Sequence, residues 1–281
     1  MVLLSIIILS YNTKDLTVAC LKSIFNRYGK QLEGGEFEVL VVDNNSTDGT
    51  QEGIKNYELR IKNFKLIINK DNLGFSRGNN IGAKEAKGKY LFFLNSDTEV
   101  LDDGLLKMIQ FLDNNQQVGV LGVKLVNPDG TDQKSAGKFY NLFNVFLMLF
   151  GGERLGLLRF SPNNQKSVDW VSGAAMIINK ELFDKINGFD EKLFMYMEDM
   201  ELCYRVKINN CQIVFYPNIK ILHKSLGSSN KTFAIVNIYK GLLYFYKKHS
   251  NYFSYIMMKD LLYKKAILAI LIGMLTKNDY L

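Results

Sequence analysis

Four short apolar runs, three of them cut off by a polar cluster, restrict this chain to a layered α/β fold. The runs are 2–9, 37–42, 64–69 and 90–94. Their β-branched and aromatic residues follow one another without polar alternation, as in strands covered on both faces of a parallel sheet. The sequence between them predicts helices over Thr13–Phe25 and Thr50–Lys62. A Gly/Asn-rich loop, Asn72–Gly82, leads into another helix, and 103–114 reads as a fourth. Strands that alternate with helices imply right-handed crossovers and a mainly parallel sheet.

The polar clusters carry the chemistry. They are Ser10-Tyr11-Asn12, Asp43-Asn44-Asn45-Ser46-Thr47-Asp48-Gly49 and Asn95-Ser96-Asp97. Clusters at strand ends gather on one edge of an α/β sheet, where such folds bind ligands. A carboxylate there suits a hard divalent cation bridged to a diphosphate, so Asp97 is the first candidate ligand. The competing reading is a polar turn with Asp97 capping the following helix.

Beyond residue 117 the rhythm loosens. Strands are expected over Val118–Val126, 168–178 (interrupted at Ser172-Gly173), 212–216 and 219–223. Short helices are expected over Lys180–Ile186 and Glu198–Ile208. The apolar patch Leu142–Phe150, followed by a Gly/Arg-rich loop, reads as a flap over the site or an acceptor-docking surface. Residues 233–281 are rich in aromatic residues and lysine. The uncharged run Ala266–Leu275 is half the length needed to cross a bilayer. A helix pair on a membrane surface, with peripheral contact through 250–281, and a helix packed on the domain both suit this composition. The chain thus divides into a body, 1–230, and a helical tail, 231–281.

Composition removes several alternatives. The 281 residues carry a formal charge of +7, but the lysines are dispersed and no recognition motif accompanies them, so no nucleic-acid partner is expected. Three cysteines without a C-x-x-C pair suggest neither disulfides nor zinc, and fit a reducing compartment. No basic leader with a cleavage site is read at the start, so a cytoplasmic location is expected. A dinucleotide-binding oxidoreductase or a nucleotidyltransferase would place glycines after the first strand. Here Ser10-Tyr11-Asn12 follows it, and no glycine occurs before Gly29.

Later in the chain come Val171-Ser172-Gly173, Gly188-Phe189-Asp190, the run Tyr196-Met197-Glu198-Asp199-Met200-Glu201-Leu202-Cys203-Tyr204-Arg205, and His223. Together with the strand-end clusters, this ordered series resembles the inverting family-2 glycosyltransferases, particularly their rhamnosyltransferase-like branch. The resemblance spans residues 2 to about 225. It implies a GT-A fold, a Rossmann-like nucleotide-diphospho-sugar transferase with a C-terminal helical appendage.

The resemblance also implies roles. Ser10, Tyr11 and Asn12 would line the nucleotide-base pocket, and Asp43 would recognise base or ribose. Asn72 and Gly74 would belong to the nucleotide-sugar site, and Arg77 would contact the diphosphate or base. Asp97 matches the second acid of the family's metal motif, while Asn95 replaces the first and leaves one negative charge fewer. His223 would complete the coordination of Mn2+ or Mg2+. Asp199 would be the catalytic base. Trp170, Gly173, Asp190 and Glu198 would form the acceptor or sugar pocket. Glu198 and Asp199 also suit a helix start on dipole grounds alone, Trp170 suits the core, and His223 suits a structural role.

The expected activity is transfer from a nucleotide-sugar donor, with dTDP-rhamnose the first choice, to a cell-surface glycan or lipid-linked acceptor at the inner face of the cell membrane. The alternative is a non-catalytic carbohydrate- or partner-binding module on the same fold.

Overall fold

A computed structural model describes residues 1–58, 61–152, 156–225 and 231–276. The end of the expected helix at Lys62, part of the Gly/Arg-rich loop, the 230/231 boundary and the last five residues touch or lie outside these segments. The first half alternates as the apolar runs require. It comprises β1 (Leu4–Ser10), α1 (Lys14–Glu33), β2 (Phe37–Asp43), α2 (Thr50–Glu58), β3 (Phe64–Ile68), α3 (Gly74–Glu85), β4 (Tyr90–Asn95), β5 (Thr98–Val100) and α4 (Leu105–Asn114). There follow β6 (Val118–Val126), β7 (Asp132–Gln133), β8 (Ala136–Gly137), α5 (Leu142–Leu149), β9 (Arg159–Phe160), β10 (Lys166–Ser167), β11 (Trp170–Val171) and β12 (Ala175–Asn179). The chain continues through α6 (Lys180–Lys185), α7 (Glu198–Ile208), β13 (Gln212–His223), α8 (Lys231–His249) and α9 (Tyr252–Thr276).

Strands β3-β2-β1-β4 are parallel. Beyond β4 the sheet becomes mixed. β12 lies antiparallel between β4 and β6, and β13 runs parallel to β6 with a break between Tyr216 and Lys220. That break merges the two expected extended segments into one strand. A second small sheet, β11-β8-β9, lies beside the main one. Ile7, Phe92 and Phe93 are wholly buried. Burying side chains of this size contributes about 1.5–3 kcal/mol each.

The expected Gly/Asn-rich loop is mostly helix α3. Two of its glycines face the sheet rather than a turn: a methyl at Gly78 would lie 2.4 Å from Leu9 Cδ1, and one at Gly82 would lie 2.6 Å from Ile7 Cγ2. The composition that suggests a loop instead lets a helix approach β1 closely. The apolar patch after Asn141 is likewise a helix, α5, capped by the Asn141 side chain accepting from Asn144 N–H.

Parallel register aligns the strand ends. Ser10 pairs with Asp43, and Leu9 pairs with Asn95. The three polar clusters therefore share one sheet edge.

Candidate active site

A cavity of about 610 Å3 opens at that edge, with Tyr11, Asn72, Gly74, Asn95, Asp97, Gly173, Glu198, Asp199 and His223 among its walls. Sheet pairing explains how residues so distant in sequence meet. After Asp97 the chain enters β5, which pairs with the end of β13 so that Thr98 lies opposite His223. Lys224 N–H donates to the Asp97 carbonyl at 3.0 Å. His223 Nε2 then stands 3.3 Å from Asp97 Oδ1.

The other face of the imidazole is fixed. Gln133 Nε2 donates to the His223 carbonyl at 2.6 Å and to Asn127 Oδ1 at 2.6 Å. Its amide oxygen is left to accept from His223 Nδ1, 2.8 Å away. With Nδ1 carrying a proton, Nε2 faces a carboxylate oxygen across a gap that a proton or a cation must bridge. A ring nitrogen whose partner nitrogen is hydrogen-bonded to a supporting side chain is the usual arrangement of a metal-bound histidine. The donor set therefore fits a divalent ion at two positions. Among the described residues no third His, Cys, Asp or Glu joins this pair, so phosphate oxygens and water would complete the shell.

Asp199 and Glu198 begin α7. The preceding Tyr196 and Met197 both have left-handed backbone, φ 71° and 72°, which costs of order 1–3 kcal/mol at each non-glycine residue. This turn sets the acid pair against the cavity. Asp199 Oδ2 accepts from Gly173 N–H at 3.1 Å, and Oδ1 accepts from Met200 N–H at 2.7 Å. Gly173 lies in the break between β11 and β12, where Asp199 Cβ is 3.4 Å from the position a methyl would take. Burial raises the Asp199 carboxyl above its ordinary value, against those two bonds and the charge of Arg159. Glu198 is 6% exposed and its Oε2 has no hydrogen-bond partner among the described residues. Burial, then the Asp199 charge, lifts its carboxyl well above the ordinary range. Burial thus raises both carboxyls, but Asp199 receives the backbone N–H bonds of Gly173 and Met200, which favour its ionised form.

Several expected residues support the cavity from behind its wall. Ser10 is fully buried, with its hydroxyl against Thr13 and Thr17 at 3.0 and 2.9 Å. Asn12 shapes the loop, its N–H donating to Ser46 and its side-chain oxygen accepting from Thr47 N–H. Asp43 is fully buried and accepts from Ser46 N–H, the Ser46 hydroxyl and Gln51. Arg77 points to solvent beside Glu191, 3.5 Å away. Trp170 is 4% exposed and donates to the Lys138 carbonyl at 3.0 Å, so its ring is part of the core. Asp190 accepts from Tyr244 at 2.7 Å and Lys248 at 2.6 Å, and ties α8 to the turn before α7.

Gln133 and Arg159 are the functional-site residues that the sequence reading omits. Both lie in two-residue strands, too short for periodicity to mark. Phe233 and Ile238 of α8 also line the cavity.

The family model described as glycosyl transferase family 2 matches residues 5–186, and one described as the N-terminal domain of galactosyltransferase matches 161–226. The chain is 28% identical over 200 residues to an O-antigen biosynthesis protein of Myxococcus xanthus, covering 68% of this chain and 15% of that one. It is 26% identical over 219 residues to the N-acetylglucosaminyl-diphospho-decaprenol L-rhamnosyltransferase of Mycobacterium tuberculosis, covering 69% and 68%. The chain therefore spans only a small part of the Myxococcus relative's length and about two thirds of the mycobacterial one's. The structure of GalNAc-T7 with UDP, GalNAc and Mn2+ has the same fold, with a TM-score of 0.66 at 18% identity, covering 88% of this chain and 48% of that one.

Proposed function

This chain belongs to glycosyl transferase family 2, and from that premise we propose that it is an inverting transferase moving a sugar from a nucleotide-sugar donor to an acceptor hydroxyl. One observation carries the reading: Asp97 with His223, and Asp199 with Glu198, border a single cavity large enough for a sugar and a diphosphate. Rhamnose carried on dTDP is the donor we favour, because the mycobacterial relative is a rhamnosyltransferase with a lipid-linked acceptor. A cell-envelope glycan or its lipid-linked precursor is the corresponding acceptor.

In this reading Asp199 takes the proton of the acceptor hydroxyl as that oxygen attacks the anomeric carbon from the face opposite the leaving diphosphate. Burial makes it a stronger base than a free aspartate, the direction that proton removal requires. Glu198, protonated, donates to a sugar oxygen. Asp97 and His223 hold Mn2+ or Mg2+, and the ion when bound offsets the charge that develops on the leaving group. The binary shell of one imidazole and one carboxylate suits Mn2+ somewhat better. Tyr11 and Asn72 border the nucleotide, while Ser10, Asn12 and Asp43 shape the loop beneath it.

Residues 1–230 are the transferase body in this proposal, and 231–281 a helical appendage that also supplies Phe233 and Ile238 to the cavity wall. No helix among the described residues is long and apolar enough to cross a membrane. Exposed Ile267, Ile270, Leu271 and Met274 on α9, with Phe143 and Phe146 on α5, favour contact with a membrane surface at its cytoplasmic face. The deciding experiment incubates purified protein with a panel of nucleotide sugars and Mn2+ or Mg2+, scoring donor hydrolysis and binding. Binding of none of them would return the chain to the alternative of a non-catalytic binding module.

A further inference from the structure

Arg159 is a cation in the cavity wall without a matching anion. It forms no ion pair among the described residues, its Nε is buried without a hydrogen bond, and its Nη2 reaches only the Lys134 carbonyl at 3.4 Å. A guanidinium carries five donors, and leaving a buried one unmade costs about 1–3 kcal/mol. Such a deficit is tolerated where a ligand completes the set.

The side chain is nonetheless held in place. Gly137 pairs with Arg159 on one side and with Trp170 on the other. A methyl at Gly137 would lie 2.6 Å from the Trp170 ring and 2.6 Å from the Leu158 carbonyl, so only glycine leaves room there. The guanidinium carbon sits 5.5 Å from the centre of that indole ring. A planar cation backed by an aromatic face keeps its edge free for in-plane bonds. Arg159 faces two parts of the site. Its charge acts on Asp199, and its Lys134 contact adjoins Gln133, which steadies His223.

We propose that Arg159 is a phosphate-binding residue of this cavity, contacting a phosphate oxygen of a substrate between the Asp97–His223 pair and Asp199. Fork-shaped donors match phosphate better than an ammonium does. The phosphate belongs to the donor's diphosphate or to a diphosphate that links the acceptor sugar to its lipid. This inference rests on the transferase reading only for the identity of those two sources.

The first test needs no activity. Protein freed of metal with EDTA is titrated with inorganic pyrophosphate by calorimetry, comparing wild type, Arg159→Lys and Arg159→Gln. Loss of one charge-assisted contact should weaken binding about ten- to hundred-fold in Arg159→Gln, with Arg159→Lys between. Equal binding by all three, with unchanged thermal unfolding, overturns the proposal. Pyrophosphate binding through Arg159 in a protein that hydrolyses no donor would leave this inference standing and remove the transferase reading.

The source follows from two further arms. If the donor supplies the phosphate, the Kd for dTDP with Mn2+ rises in Arg159→Gln. If the acceptor does, dTDP binding is unchanged, and KM rises for a diphosphate-linked acceptor but not for an uncharged alkyl glycoside of the same sugar. An equal loss of kcat with both acceptors at unchanged dTDP affinity would mean that Arg159 only tunes Asp199, and the proposal fails.

Discussion

Lys248 Nζ on α8 lies 2.7 Å from Glu201 Oε1 on α7, at a carboxylate that is wholly buried. The same carboxylate receives Arg205 through Nε and Nη2, at 2.8 and 2.7 Å, and His249 at 3.0 Å. Lys248 also reaches Asp190 at 2.6 Å. The helix that presents Asp199 to the cavity is therefore bolted to α8 two residues farther on. Burial opposes ionisation of Glu201, but its bonds to His249, Arg205 and Lys248 prevail and hold the carboxyl down at about 2.

Glu201→Gln should consequently destabilise the fold by about 3–5 kcal/mol at neutral pH, because it leaves the largely buried Arg205 without its counter-charge. The sign with pH follows from the depressed value. The contribution is complete above the ordinary 4.5 and disappears as pH falls toward about 2. Urea unfolding of both proteins between pH 7 and pH 3 measures the gap, which should narrow on acidification. A constant gap would show that packing, not charge, explains the loss.

Glu198 and Asp199 should respond differently to the same isosteric change. Asp199→Asn removes the base and should lower kcat by about 10²–10⁴-fold with nucleotide affinity retained. Glu198→Gln keeps a neutral side chain of the same shape and should retain most of the rate. In wild type, kcat/KM should climb with pH through a limb above the ordinary aspartate value of 3.8, since the base works only when ionised. Steady-state kinetics of the three proteins across pH tests both points.

The imidazole support predicts a distal effect on cation binding. Asp97→Ala and His223→Ala should each remove cation-dependent binding of a nucleoside diphosphate. Gln133→Leu, which touches neither the ion nor the nucleotide, should still weaken Mn2+ affinity about 10–100-fold. Calorimetric titration of Mn2+ in the presence of UDP is the direct measurement. Unaltered affinity in all three would exclude this corner as the ion's place.

Gly74 gives the cavity wall a left-handed backbone position without the strain that Tyr196 and Met197 carry. Its φ is +76°, and a methyl there would lie 2.4 Å from the Phe194 carbonyl. Gly74→Ala should cost at least about 1–3 kcal/mol from the backbone alone, and should displace the Phe194 segment of the wall. Thermal unfolding should fall together with donor affinity. Retained stability would mean that the α3 start re-forms without a left-handed residue.

The exposed face of α9 gives a prediction separate from chemistry. Ile267, Ile270 and Leu271 are 40%, 57% and 52% exposed. Replacing all three with glutamate should spare the fold and abolish flotation with anionic vesicles. Failure of the unmodified protein to float would remove the membrane contact altogether.

Much of this arrangement was legible in the residues. Val118–Val126 and Glu198–Ile208 run between the expected ends, because a valine-rich run interrupted by one lysine and an acidic helix start are strong local signals. The loop expected at Asn72–Gly82 failed because glycines that admit a neighbouring strand look the same in sequence as glycines that turn a chain. Asp97 stood out by its place at the tip of an apolar run, whereas His223, Glu198 and Asp199 stood out only through resemblance to a family. Gln133 and Arg159 were invisible because their positions depend on pairings of two-residue strands, and nothing local encodes a partner so far along the chain. Trp170, a candidate for sugar stacking, is claimed by Lys138 and the core.

The antiparallel placement of β12 has a consequence for biosynthesis. Leu91 and Phe93 find their outer neighbours only in Ile178 and Met176, so residues 96–174 must leave the ribosome before that sheet is closed. At ordinary elongation rates the gap lasts roughly ten seconds. Throughout it the nascent chain displays a bare, greasy strand edge of the kind that recruits unwanted partners. Yield in a cell should thus depend more on chaperone supply during translation than on the stability of the finished molecule.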